Sequence, residues 1–145
     1  MREKLKCAVV GATGMVGQRF LTLLENHPYF QVTGVVASPR TAGKTYEEAV
    51  AGRWKMAVPI PEEVRKMVII NSENIDEVKA IADFVFCAVD LPKDETRALE
   101  EAYAKAEIPV ISNNSAHRWT SDVPMVIPEI NDNHLEVIES QRKRL

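Results

Sequence analysis

Five short, nearly unbroken apolar runs recur along the chain at 6–10, 32–37, 67–70, 84–89 and 109–112, separated by polar stretches with helical spacing. Strands that are apolar on both sides belong in a parallel sheet covered by helices on both faces. Residues 15–26 carry Val16, Phe20, Leu23 and Leu24 at helical intervals. His27-Pro28 stops that segment, because the residue before a proline is driven out of the helical region. A short polar helix is expected at 74–81. Asp90-Leu91-Pro92 opens another, with Asp90 as N-cap acceptor and Leu99, Ala102, Tyr103 and Ala106 as its buried stripe. A shorter sixth strand is expected at 125–127 and a last helix at 131–145, with Leu135, Val137 and Ile138 inward and a basic final turn. Residues 41–66 form one irregular excursion with a short helix at 46–51. The fold class is therefore α/β: a Rossmann-like, doubly wound, mainly parallel sheet with helices on both faces, in a single domain over 1–145.

Composition narrows the function. At 145 residues the chain is of ordinary single-domain size. A net charge of −3 argues against a nucleic-acid partner held through phosphates. The two cysteines, Cys7 and Cys87, lie inside apolar runs, which reads as buried thiols in a reducing, cytoplasmic setting rather than a disulfide framework. No apolar segment approaches the length of a membrane span, and MREKLK is not followed by a signal-like core.

The glycine string in VVGATGMVGQRF sits where the first strand hands over to the first helix. Glycine permits a tight turn and close backbone approach, and a helix N-terminus offers unpaired N–H groups to an anion. Gly11, Gly14 and Gly17 follow a GxxGxxG spacing, and Thr13 adds a hydroxyl that can face phosphate. In this strand–turn–helix context the string is expected to cradle the pyrophosphate of a dinucleotide. After the second strand, an acidic residue would bind a free ribose 2′-hydroxyl. The chain instead reads ASPRTAGK. Ser38 stands about 20 residues beyond the glycines, where the ribose contact falls. With Arg40, Thr41 and Lys44 it suits a dianionic phosphate, so NADP is favoured over NAD; a solvated basic loop is the alternative.

A second polar cluster, ISNNSAHRWT, follows the fifth strand and should emerge at the carboxyl edge of the sheet, where ligands of such folds bind. Asn113, Asn114 and Ser115 offer neutral donors and acceptors, and Arg118 a fork for an anion, although the same residues also suit a plain turn. Three scattered histidines without a carboxylate or cysteine spacing argue against a metal site.

GATGMVGQRF, ASPRTAGK, FVFCAVD and SNNSAHRWTSDVPMVIPEIN together resemble, in order and spacing, the N-terminal half of the aspartate-β-semialdehyde dehydrogenase family, in the branch shared by archaea, fungi and some bacteria. The resemblance covers essentially the whole chain. It implies an NADP-dependent oxidoreductase that reductively dephosphorylates β-aspartyl phosphate to aspartate semialdehyde, in the biosynthesis of lysine, threonine and methionine. By that resemblance Gly11, Thr13, Gly14, Met15 and Val16 form the pyrophosphate turn, and Ser38, Arg40 and Thr41 hold the 2′-phosphate. Cys87 and Ala88 form a turn beside the cofactor, Asn113 lines the cofactor and substrate cleft, and Arg118 grips substrate phosphate.

The family's nucleophilic cysteine, acid/base histidine and substrate-binding arginine match no position in this chain, and neither Cys7 nor Cys87 stands in the nucleophile's place. The expectation is a fragment that binds cofactor, with no catalytic residue of its own, from a family of homo-oligomers acting on small molecules. The terminus fits either a natural end or a cut within a longer protein. N-acetyl-γ-glutamyl-phosphate reductase and malonyl-CoA reductase share related chemistry and remain alternatives, as does a non-catalytic NADP sensor.

Overall fold

A computed structural model describes residues 3–145; Met1 and Arg2, and so the start of the MREKLK stretch, lie outside the described residues. Strands β1 (Leu5–Val10), β2 (Phe30–Ala37), β3 (Ile70–Asn71), β4 (Phe84–Cys87) and β5 (Val110–Ser112) form one sheet in the order β3-β2-β1-β4-β5. Every pairing is parallel. The helices are α1 (Met15–Leu24), α2 (Tyr46–Ala49), α3 (Glu62–Arg65), α4 (Ile75–Ile81), α5 (Lys93–Lys105), α6 (Pro128–Asn131) and α7 (Ile138–Arg144), with a 3-10 turn at Asp132–Val137.

The alternation of side chains along β1 builds two cores. Cys7 and Val9 face α1 and the excursion, joined by Leu21, Leu24, Tyr46, Val64 and Ile69. Ala8 and Val10 face α4 and α5, joined by Val78, Val85, Cys87, Tyr103 and Ile108. β2 carries a bulge: Cys7 pairs with Val32 but Ala8 with Gly34, leaving Thr33 as the extra residue. The bulge reverses the alternation, so that Val32, Val35 and Ala37 share one face. Its hydroxyl donates to the Ile81 carbonyl at 2.7 Å, which fastens β2 to the end of α4.

Several expectations needed correction. Residues 125–127 are not a strand. The Asn131 side chain accepts from the Ile127 N–H at 2.7 Å and donates to the Met125 carbonyl at 2.9 Å, taking the groups a ladder would use. The third strand lies later than expected, and Val68 makes only an antiparallel bridge to Thr45. Asp90 does not cap α5; Pro92 holds that position, and the Thr96 hydroxyl donates to the Leu91 carbonyl. The stripe of α5 is centred on Thr96, Glu100 and Tyr103, with Leu99 and Ala106 at its margin. On α1, Val16 and Leu23 are exposed, while Gly17 and Gln18 are buried beside Leu21 and Leu24. The last helix is broken into α6, the 3-10 turn and α7, and Leu135 and Ile138 line an open cleft instead of a core.

Candidate dinucleotide site

Strand order reverses between β1 and β4, and the crevice above their carboxyl ends is the expected ligand site of such a sheet. The glycine turn occupies its rim. Gly11 adopts φ 84°, and a Cβ there would stand 2.5 Å from the Ala88 carbonyl oxygen, so only glycine lets β1 exit against β4. A Cβ on Gly17 would stand 2.1 Å from the Gly11 carbonyl oxygen, which presses the helix onto the turn. Gly14 is different. It is exposed, has an extended backbone, and the nearest atom to a Cβ there would be 3.7 Å away. The fold does not require glycine at 14; an approaching ligand would. Gly14 also has no side chain to cap α1, which leaves the start of the helix to an outside acceptor.

The three exits are tied together by backbone. Gly11 and Ala12 N–H groups both donate to the Val36 carbonyl, at 2.9 and 3.1 Å, so the turn is locked to the end of β2. Ser38, exposed with Arg40, lies immediately beyond that strand, and the Thr41 N–H donates to the Ser38 carbonyl at 3.1 Å to make a compact loop. Across the crevice, Ala88 N–H donates to the Val10 carbonyl and Asn113 N–H to the Cys87 carbonyl, each at 2.9 Å. Asn114 donates to the Val89 carbonyl at 2.7 Å, fixing the loop after β5 to the loop after β4. His117 is anchored within that loop, with the Thr120 hydroxyl at 3.0 Å and the Arg97 carbonyl at 3.4 Å.

Met15 and Val16 are exposed at the helix start, and Thr13 is half-buried beside them. Cys87 reaches the crevice by its backbone alone. Its side chain is 2% exposed on the α5 face, and burial, with the Glu100 carboxylate beside it, pushes the thiol up to about 12. What this position offers the crevice is a peptide group, not a sulfur. Cys7 is also buried, its thiol pushed up to about 11 by desolvation. Asn113 and Arg118 share a separate cleft of about 1090 Å³ bounded by β5, α5 and α7. The residues of the glycine turn are not among those lining that cleft.

Two residues of the site escaped the sequence reading. The Tyr46 hydroxyl, fully buried, donates to the Ala12 carbonyl at 2.7 Å. Gln18, 2% exposed, donates to the Thr13 carbonyl at 3.0 Å and the Arg53 carbonyl at 3.1 Å, and accepts from the Lys55 N–H at 2.9 Å. Burying either polar group requires partners; each takes one from the turn, and Gln18 takes two more from Arg53 and Lys55 in the excursion. Gln18 was not legible, because the apolar spacing of Val16, Phe20, Leu23 and Leu24 puts it on the outward face.

A family profile described as "Semialdehyde dehydrogenase, NAD binding domain" matches residues 6–138. The aspartate-semialdehyde dehydrogenase of Archaeoglobus fulgidus is 44% identical over 137 residues, covering 93% of this chain and 37% of that protein. The Aspergillus fumigatus enzyme of the same name is 41% identical over 140 residues, covering 97% and 37%. The structure of aspartate semialdehyde dehydrogenase with NADP from Candida albicans matches with a TM-score of 0.84 at 35% identity, covering 98% of this chain and 38% of that one.

Sheet order, glycine turn and crevice define the class, a doubly wound dinucleotide-binding domain. The chain belongs to the semialdehyde dehydrogenase family, within its NAD binding domain. It spans 37% of the length of these two curated relatives.

Proposed function

We propose that the chain is the NADP-binding domain of an aspartate-semialdehyde dehydrogenase, serving the NADPH-dependent reductive dephosphorylation of β-aspartyl phosphate in amino-acid biosynthesis. The observation that carries this reading is the Gly14 position, a helix start left open and uncapped beside a turn whose other glycines are required by the fold. In this reading Gly11, Thr13, Gly14, Met15 and Val16 receive the pyrophosphate. Ser38, Arg40 and Thr41 receive the 2′-phosphate, whose charge an exposed guanidinium and two hydroxyls complement. Ala88 and the Cys87 backbone close the crevice from the β4 side, and Asn113, whose N–H donates to the Cys87 carbonyl, borders it where the neighbouring cleft begins. Arg118 holds substrate phosphate from the neighbouring cleft.

NADPH supplies the hydride equivalent when bound; the chain's own residues orient it and exclude water from one side. The reading extends to a cytoplasmic setting, supported by two unpaired buried thiols, to a small-molecule substrate with no nucleic-acid or membrane partner, and to a homo-oligomeric whole enzyme. Among the described residues no helix is long and apolar enough to cross a membrane. Titration with NADPH and NADH by calorimetry tests the assignment. Tighter binding of NADPH is expected; equal affinities or a preference for NADH would overturn it.

A further inference from the structure

Two polar side chains from different elements fasten consecutive carbonyls of the glycine turn. Tyr46, the first residue of α2, donates to the Ala12 carbonyl, and Gln18, on α1, donates to the Thr13 carbonyl. Core filling alone does not call for either. Phenylalanine would occupy the Tyr46 volume without a hydroxyl to desolvate, and leucine or methionine would occupy that of Gln18. Tyr46 is itself held tightly, its N–H donating to the Met67 carbonyl at 2.8 Å and its ring edge-on to Trp54 at 6.3 Å.

A trans peptide points its N–H opposite to its carbonyl. Drawing the Ala12 carbonyl inward onto Tyr46 therefore turns the Thr13 N–H outward, away from the core. Drawing the Thr13 carbonyl onto Gln18 turns the Gly14 N–H the other way, toward the Gly11 carbonyl at 3.3 Å. One outward amide, Thr13, is thus set beside the uncapped start of α1. We infer that Tyr46 and Gln18 are positioning residues for the dinucleotide pyrophosphate: by holding the Ala12 carbonyl inward Tyr46 aims the Thr13 amide at the phosphate oxygens, and by holding the Thr13 carbonyl Gln18 fixes the following peptide so that this orientation persists. Neither touches the cofactor. The inference rests on the NADP-binding reading above.

The test uses the full chain with two probes, NADPH and adenosine 2′-monophosphate, which carries the 2′-phosphate but no pyrophosphate. Tyr46→Phe and Gln18→Leu are each expected to weaken NADPH about tenfold while leaving adenosine 2′-monophosphate affinity unchanged. Equal losses on both probes mean a general loosening of the domain, and unchanged NADPH affinity means the carbonyl anchors are idle; either result overturns the inference. The unsubstituted chain supplies a measurement independent of variant folding. The Thr13 amide resonance should shift strongly downfield on adding NADPH and stay in place on adding adenosine 2′-monophosphate. A Thr13 resonance indifferent to NADPH overturns the inference. An unsubstituted chain that binds neither probe overturns the NADP reading itself, whereas NADPH binding with indifferent variants overturns only the positioning role.

Discussion

A methyl group added at Gly17 would meet the Gly11 carbonyl oxygen at 2.1 Å and the Ala12 Cα at 2.8 Å, whereas one added at Gly14 would find its nearest neighbour at 3.7 Å. The two alanine variants should therefore separate folding from binding. Gly17→Ala is expected to lower the melting temperature by several degrees, because backbone atoms cannot move aside cheaply. Gly14→Ala should melt like the unsubstituted chain yet bind NADPH more weakly, because its methyl group stands where the pyrophosphate approaches. Arg40→Ala should weaken NADPH about tenfold and leave NADH unchanged, since only one of the two carries the 2′-phosphate; calorimetric titration of both reads the difference. The thiols make a separate prediction. Cys7 and Cys87 ionise in the folded chain near 11 and 12 against an ordinary 9.0, and burial raises the Tyr46 and Tyr103 hydroxyls as well. Folded-state values lie above unfolded ones, so the protonated groups contribute fully below pH 9.0 and that contribution is lost as pH rises through the folded values. Thermal melts should show a stability that declines from pH 9.0 upward, and Cys87→Ala should flatten part of the decline while lowering stability at neutral pH.

At the scale of elements, α7 is fastened by ion pairs, Arg142 to Glu107 at 3.0 Å and a cluster at Arg144. Arg144 reaches Asp122 through two bonds of 2.7 and 2.9 Å and Glu101 through one of 2.9 Å, and Gln141 donates to the Asp122 carbonyl at 3.1 Å. The guanidinium holds the Asp122 carboxyl below its ordinary 3.8. Its contribution is present above pH 3.8 and lost as pH falls through the depressed value. Arg144→Ala should raise amide hydrogen exchange in 138–145 while leaving that of β1 unchanged, and acid should do the same to the unsubstituted chain. The elements also show what could be read in advance. β1, β2 and β4 were legible because each is apolar on both faces, whereas the third was placed too early because its apolar run ends at Ile70, where the ladder begins. The expected sixth is not a strand, because one asparagine side chain binds the backbone groups that a strand would offer. The face of α1 was misjudged at Val16 and Leu23 because Gln18 is buried by hydrogen bonds, which apolar periodicity does not register. The glycine turn was legible as spacing, but its Tyr46 anchor joins residues 34 positions apart, and no local pattern announces that contact.

Across the whole molecule, both cysteines are buried and their thiols raised, so neither is set up as a nucleophile at neutral pH. The chain alone is expected to bind NADP yet give no phosphate-dependent reduction of it with aspartate semialdehyde, followed by absorbance of the reduced nicotinamide. Turnover that Cys87→Ser abolishes would make that sulfur the nucleophile and refute this. The bulge at Thr33 has its own reach. β2 is pinned at one end by the Val36 carbonyl under Gly11 and Ala12, and two residues further on lies Ser38. In the proposed reading the strand is in effect a ruler laid between the pyrophosphate turn and the 2′-phosphate loop. Each residue added or removed after the bulge would lengthen or shorten it by about 3.3 Å, roughly the reach of a single hydrogen bond.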